Sequence, residues 1–156
     1  MTSDFDIGLP DGTSDQTYLS KLRWGLSEIF RQFRPNFMIY IAGADVYKGD
    51  RLGRFTLSKQ GISDRDHTVL RLASDREIPI ALVMGGGYAT EVSDTIDIHL
   101  QTISNALEYF DRYNEWVAAG VVPYRLEVST KRENGPIILF SKESFFSMKT
   151  LKTSAL

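Results

Sequence analysis

Two short apolar runs constrain what this chain can fold into. Phe37-Met38-Ile39-Tyr40-Ile41 and Ile78-Pro79-Ile80-Ala81-Leu82-Val83-Met84 both read as buried strands, and the second is apolar enough to be covered on both faces. Each empties into glycine. The first leads into Ala42-Gly43-Ala44-Asp45-Val46-Tyr47-Lys48-Gly49-Asp50-Arg51-Leu52-Gly53-Arg54-Phe55, and the second into Gly85-Gly86-Gly87-Tyr88. In open α/β sheets, ligands bind outside the carboxyl ends of the strands.

The segments around these runs read as helices. Ser14 or Asp15 can cap a helix whose Tyr18, Leu22, Leu26, Ile29, Phe30 and Phe33 form one apolar face, and Pro35 stops it. A second helix fits Ser63 to Ser74, with Ser63 and Asp66 placed like a capping box. A third runs from about Thr90 to Val117, with a stripe of Val92, Ile96, Leu100, Ile103, Leu107 and Phe110. The order helix, strand, helix, strand, helix predicts a parallel sheet covered by helices through right-handed crossovers. The last forty residues leave that alternation. Residues 121–128 and 136–140 read as a hairpin around Glu133-Asn134-Gly135, followed by a Ser-, Lys- and Thr-rich tail.

A chain of 156 residues is long enough for one core. Its net charge of −2 gives no support to direct nucleic-acid binding, which needs a basic face. With no cysteine, a metal would fall to Asp, Glu or the two histidines. No run approaches the ~20 apolar residues of a membrane helix, and Met1–Asp6 lacks signal-peptide character. The expectation is a cytoplasmic protein without membrane contact.

In a parallel sheet with one crossover between its strands, Asp45 and Tyr88 share a rim. A carboxylate and a phenol facing one crevice suit hydrolysis, the Asp as metal ligand or base and the Tyr as donor to a developing oxyanion. Each residue also has a structural reading: Asp45 satisfying loop amides, Tyr88 a half-buried ring, the glycines a tight turn. A dinucleotide fingerprint fits poorly, because Thr90 stands where its last glycine belongs. His67 and His99 belong to no metal-binding or nucleophile motif and read as structural.

The residues resemble the zinc-dependent histone deacetylase family. The resemblance is carried by Ala42-Gly43-Ala44-Asp45, Gly49-Asp50-Arg51-Leu52-Gly53, Leu57-Ser58, Gly61-Ile62, Arg65-Asp66, Ile78-Pro79 and Gly85-Gly86-Gly87-Tyr88. Gly12-Thr13, Asp15 and Tyr18-Leu19 look nearest to its class IV branch and bacterial relatives. It covers residues 4 to 117 and implies an α/β fold of the arginase/deacetylase type, a parallel sheet with helices on both faces, present as a partial domain. It implies that residues 1–117 are the C-terminal portion of such a domain and leaves 118–156 unmatched. Asp45 matches one of three zinc ligands, and Tyr88 the tyrosine that hydrogen-bonds the scissile carbonyl. Leu52, Gly86 and Gly87 match the substrate channel. The implied reaction is zinc-dependent hydrolysis of an acetyl-lysine amide, on an acetylated protein or a small acetylated amine.

The family's histidine pair and Asp-x-His zinc motif lie upstream of everything that matches, and one aspartate cannot make a catalytic zinc site. The resemblance therefore implies a chain that is inactive until a missing N-terminal half supplies the remaining ligands and the base. Two other readings stand beside it. One is a non-catalytic remnant acting as a binding or interaction module. The other is an unrelated small α/β protein that binds a phosphorylated ligand at Gly85–Tyr88.

Overall fold

In a computed structural model of the chain, residues 5–118 are described, with side chains for 5–110. The elements are α1 (Asp15–Gln32), β1 (Met38–Gly43), α2 (Lys59–Asp75), β2 (Ile80–Gly85) and α3 (Val92–Ala118). The predicted alternation holds. The hairpin and tail expected after residue 118 lie outside the described residues.

The two strands pair directly and in parallel, with Met38 opposite Ile80 and Gly43 opposite Gly85. Both therefore end at the same rim. The core beneath it is Ala44, Leu57, Ile62 and Ile98, with Tyr18, Val46, Tyr47 and Phe55 packed against it. Most of these residues lie on the segment between β1 and α2, so that side of the rim is built on packed side chains. The N-terminal segment joins here too: Gly12 N donates to Arg54 O at 2.7 Å and Thr56 N to Thr13 O at 3.0 Å.

Helix α2 begins at Lys59 and not at Ser63. Its N-cap is Ser58, whose hydroxyl accepts from Gly61 N at 2.9 Å. Asp15 fixes that cap by accepting from Ser58 N at 2.8 Å and Ser58 Oγ at 2.6 Å. Ser63 and Asp66, read as a capping pair, are buried inside the helix instead. The reason is tertiary: the residue that orients the true cap lies 43 positions upstream.

Helix α3 differs from its sequence reading in which side it packs. Its buried residues are Ile98, Thr102 and Asn105, while Val92, Ile96 and Leu100 are 70%, 52% and 58% exposed. Ile98 lies two residues from both Ile96 and Leu100, which is about 200° around a helix. The face toward α2 is thus the more polar one, matched to polar side chains on α2. Asn105 donates to Ser63 Oγ at 3.1 Å and Thr102 to Asp66 Oδ2 at 2.6 Å. In α1 the buried positions are Leu19, Gly25 and Leu26, and Phe33 is exposed. On the sheet, Ile39, Ile41 and Val83 are exposed on one face and Met84 on the other, so among the described residues one apolar sheet surface and one apolar helix stripe are open.

Candidate active site

Asp45 lies two residues beyond the end of β1, and Gly86 follows β2 directly. The segments touch: Ala44 N donates to Gly85 O at 3.0 Å. The Asp45 carboxyl group sits in a cleft that glycine makes. A Cβ on Gly43 would stand 2.6 Å from Asp45 Oδ1, and one on Gly86 2.7 Å from Asp45 Cγ. Gly86 and Gly87 also have φ of +54° and +117°, conformations that other residues rarely adopt. Among the described residues the Asp45 carboxylate accepts no hydrogen bond, and the residue is exposed.

The loop amides go to a different aspartate. Asp50 Oδ1 accepts from Leu52 N and Gly53 N, each at 2.8 Å, and Asp50 Oδ2 accepts from Tyr88 N. Desolvation works to raise the Asp50 pKa, but the three N–H groups and the Arg51 charge outweigh it, and its carboxyl is held below the ordinary aspartate value. This division of labour removes the structural reading of Asp45 as the residue that satisfies the loop.

Tyr88 reaches the rim with half its surface exposed. Its carbonyl accepts from Arg51 N at 3.1 Å and Arg51 Nε at 3.2 Å. His99 approaches from α3, with Nε2 3.2 Å from Gly86 O. A carbonyl only accepts, so Nε2 carries the proton, and Nδ1 is buried without a partner among the described residues. His99 thus braces the glycine turn, in keeping with its structural reading. His67 faces Tyr109, with Nδ1 3.4 Å from the phenol oxygen. Leu52 is 70% exposed at the tip of the neighbouring loop.

Beneath the rim a buried polar network holds the end of β1. Arg65 Nη1 donates to Gly43 O at 2.6 Å, while its Nε and Nη2 bind Asp66 Oδ1 at 2.9 and 2.8 Å. Tyr40 Oη and Thr102 Oγ1 also donate to Asp66. Burial alone would lower the Arg65 pKa, but Tyr40 and Asp66 beside it raise it overall. Burial is the main cause that pushes the Tyr40 phenol well above its ordinary value. It stays a neutral donor.

The structure brings Asp45, Gly86, Gly87 and Tyr88 to one rim, with Leu52 on the adjoining loop. Sequence reasoning gave Asp50 no role. Half of its function was legible, because Asp-x-x-Gly is a pattern in which the carboxylate caps the amides two and three residues on. The bond to Tyr88, 38 residues away, was not. Among the described residues no three His, Asp or Glu side chains gather to hold a metal. At this rim Asp45 offers an exposed carboxylate without a hydrogen-bond partner among the described residues, as a metal ligand would; a complete zinc site does not fit the described residues.

A histone deacetylase domain matches residues 2–103. Over 97 residues the chain is 38% identical to an uncharacterized protein of Picosynechococcus sp., covering 62% of this chain and 32% of that protein. Over 98 residues it is 37% identical to histone deacetylase 2 of Arabidopsis thaliana, covering 60% and 25%. Among solved structures it resembles an acetylpolyamine aminohydrolase from Burkholderia pseudomallei, with TM-score 0.55 and 21% identity over 65% of this chain and 28% of that one. It also resembles a deacetylase homologue complexed with SAHA, with TM-score 0.50 and 19% identity over 94% and 41%. The chain thus spans about a quarter to a third of the curated relatives' length. The fold is that of arginase and the deacetylases, and the chain belongs to the histone deacetylase family.

Proposed function

We propose that this chain supplies one metal ligand, Asp45, and one oxyanion donor, Tyr88, to a zinc-dependent deacetylase site. The other ligands and the general base belong to the part of the deacetylase fold that this chain does not span. The observation that carries the reading is the contrast between two aspartates on one loop. Asp50 takes the loop's amides, whereas Asp45 keeps both oxygens free in a cleft that two glycines hold open. The Asp45 carboxylate packs against Gly86, two residues before the exposed Tyr88, and both groups are open to a substrate or metal.

Bound zinc would polarise the amide carbonyl and lower the pKa of a coordinated water. The chain's own part is to present the Asp45 carboxylate to the metal and to aim the Tyr88 hydroxyl at the carbonyl oxygen. As that oxygen gains negative charge, a hydrogen bond from Tyr88 strengthens, so the transition state is stabilised more than the substrate. Leu52, Gly86 and Gly87 would line the channel, the glycines leaving room for an extended acyl-amine chain. The substrate class is an acetylated amine, either acetyl-lysine in a protein or a small acetylated amine. Relatives and neighbours named as histone deacetylase and as acetylpolyamine aminohydrolase support both.

Alone, the chain is expected to bind zinc only weakly and to release no acetate from an acetyl-lysine peptide or an acetylated polyamine. Co-expression with the N-terminal part of the Picosynechococcus relative should restore zinc binding and activity. Tyr88→Phe in that assembly should lower kcat by about 10²–10³-fold, the usual loss for one oxyanion donor. An active assembly whose rate is unchanged by Tyr88→Phe, or whose zinc content is unchanged by Asp45→Ala, would refute the reading.

A further inference from the structure

We infer that Asp50 is a positioning residue for the reaction proposed above, setting where the Tyr88 hydroxyl points without touching substrate. The inference rests on that functional reading and adds a residue to it. Its basis is how the peptide of Tyr88 is held. The two preceding residues, Gly86 and Gly87, have left-handed φ values and no side chain to limit their motion. The ring is half exposed, and among the described residues no side-chain hydrogen bond to its hydroxyl fixes it. The aim of the phenol therefore has to come from the backbone.

That backbone is clamped on both sides by one dipeptide. Asp50 Oδ2 accepts from Tyr88 N, and the adjacent Arg51 donates to Tyr88 O through N at 3.1 Å and Nε at 3.2 Å. Asp50 pairs antiparallel with Ala89, and Thr90 N donates to Gly49 O at 3.1 Å, which extends the clamp by one residue. The other oxygen of the same carboxylate holds Leu52 N and Gly53 N. One rigid side chain thus fixes the Tyr88 donor and the Leu52 loop relative to each other. A neutral amide cannot do both tasks, because an Asn side chain has a single acceptor oxygen.

Two measurements test this. In the full ¹⁵N-labelled chain, Asp50→Ala should raise the amide exchange rates of Leu52, Gly53 and Tyr88 by about 10-fold or more, the loss of one charge-assisted bond each. Leu70 and Ala73 in α2 should not change. Asp50→Asn, which preserves shape should the alanine variant unfold, should free Tyr88 or the Leu52–Gly53 pair but not protect both. In the zinc-loaded assembly described above, an Asp50→Asn chain whose Tyr88 amide is freed should lose about 10–100-fold in kcat, as expected of a displaced catalytic group. In the Tyr88→Phe background the same substitution should have no further effect on kcat.

Full protection of Tyr88 in both variants would overturn the inference. So would an Asp50→Asn effect that multiplies with that of Tyr88→Phe, since it would then act through something other than the phenol. The exchange measurement needs no catalysis. If the assembly proves inactive, the deacetylase reading fails by itself, and the hold of Asp50 on Tyr88 is decided by the amides.

Discussion

Removing the carboxylate of Asp66 should be the most destabilising single truncation in the described residues. Asp66 is fully buried and accepts from Tyr40 Oη, Arg65 Nε, Arg65 Nη2 and Thr102 Oγ1. In Asp66→Ala those donors lose their acceptor together. Arg65, 3% exposed, keeps only the Gly43 carbonyl. Breaking a buried pair from one side costs about 3–5 kcal/mol, because an uncompensated charge stays behind. Small domains are stable by about 5–15 kcal/mol in total, so the loss is a large share. With a urea slope of about 2 kcal/mol/M, a loss of 4 kcal/mol moves the midpoint down by about 2 M. Circular dichroism against urea measures it. The decisive comparison adds Arg65→Met to Asp66→Ala. If the stranded charge is the cause, the second substitution recovers stability in that background, although it destabilises the wild type. A loss below about 1 kcal/mol for Asp66→Ala, or two effects that add, would refute the argument.

Gly61→Ala poses a contest between two effects. Helix propensity favours alanine over glycine by about 1 kcal/mol. A Cβ there, however, would stand 2.1 Å from Asp15 Oδ1, the atom that orients the cap of α2. Net destabilisation is expected, and a higher thermal midpoint would show that Asp15 is free to move. Alkaline pH should also destabilise the fold. Burial raises the Tyr40 pKa above its unfolded value near 10, so the protonated phenol's contribution is intact below that value and is lost as pH rises through it. Urea midpoints at pH 9 and 11 test this, and a Tyr40→Phe chain should show a shallower decline. Asp50 has the opposite sign. Its folded pKa is lowered, so the loop it caps is stabilised above the ordinary aspartate value and released as pH falls through the depressed one. Exchange of the Leu52, Gly53 and Tyr88 amides, corrected for intrinsic pH dependence, should accelerate there, and constant protection would contradict it.

Local signals placed the elements. Apolar runs followed by glycine gave both strands to within two residues at each end, and proline and polar caps bounded the first helix. The shared rim of Asp45 and Tyr88 followed from one helical crossover between two strands, which leaves little choice of geometry. Periodicity was a poorer guide to which helix face packs. The stripe from Val92 to Ile103 is a strong amphipathic signal, yet α3 meets α2 through Ile98, Thr102 and Asn105. Amphipathicity reports that a face is apolar and is silent about which neighbour covers it.

The sequence by itself determined the order of elements, the parallel sense of the strands and the presence of a carboxylate and a phenol at their ends. These depend on residues a few positions apart, whose conformational preferences act before any distant contact forms. Tertiary structure decided the roles. Ser58 caps α2 because Asp15 reaches it, and Asp66 is a buried hub because Tyr40, Arg65 and Thr102 converge on it. Asp50 takes Tyr88 N in addition to its own turn, and Asp45 has no hydrogen-bond partner among the described residues. Two aspartates five residues apart on one loop look alike in sequence. Hydrogen bonding across 38 residues makes one a scaffold and leaves the other open.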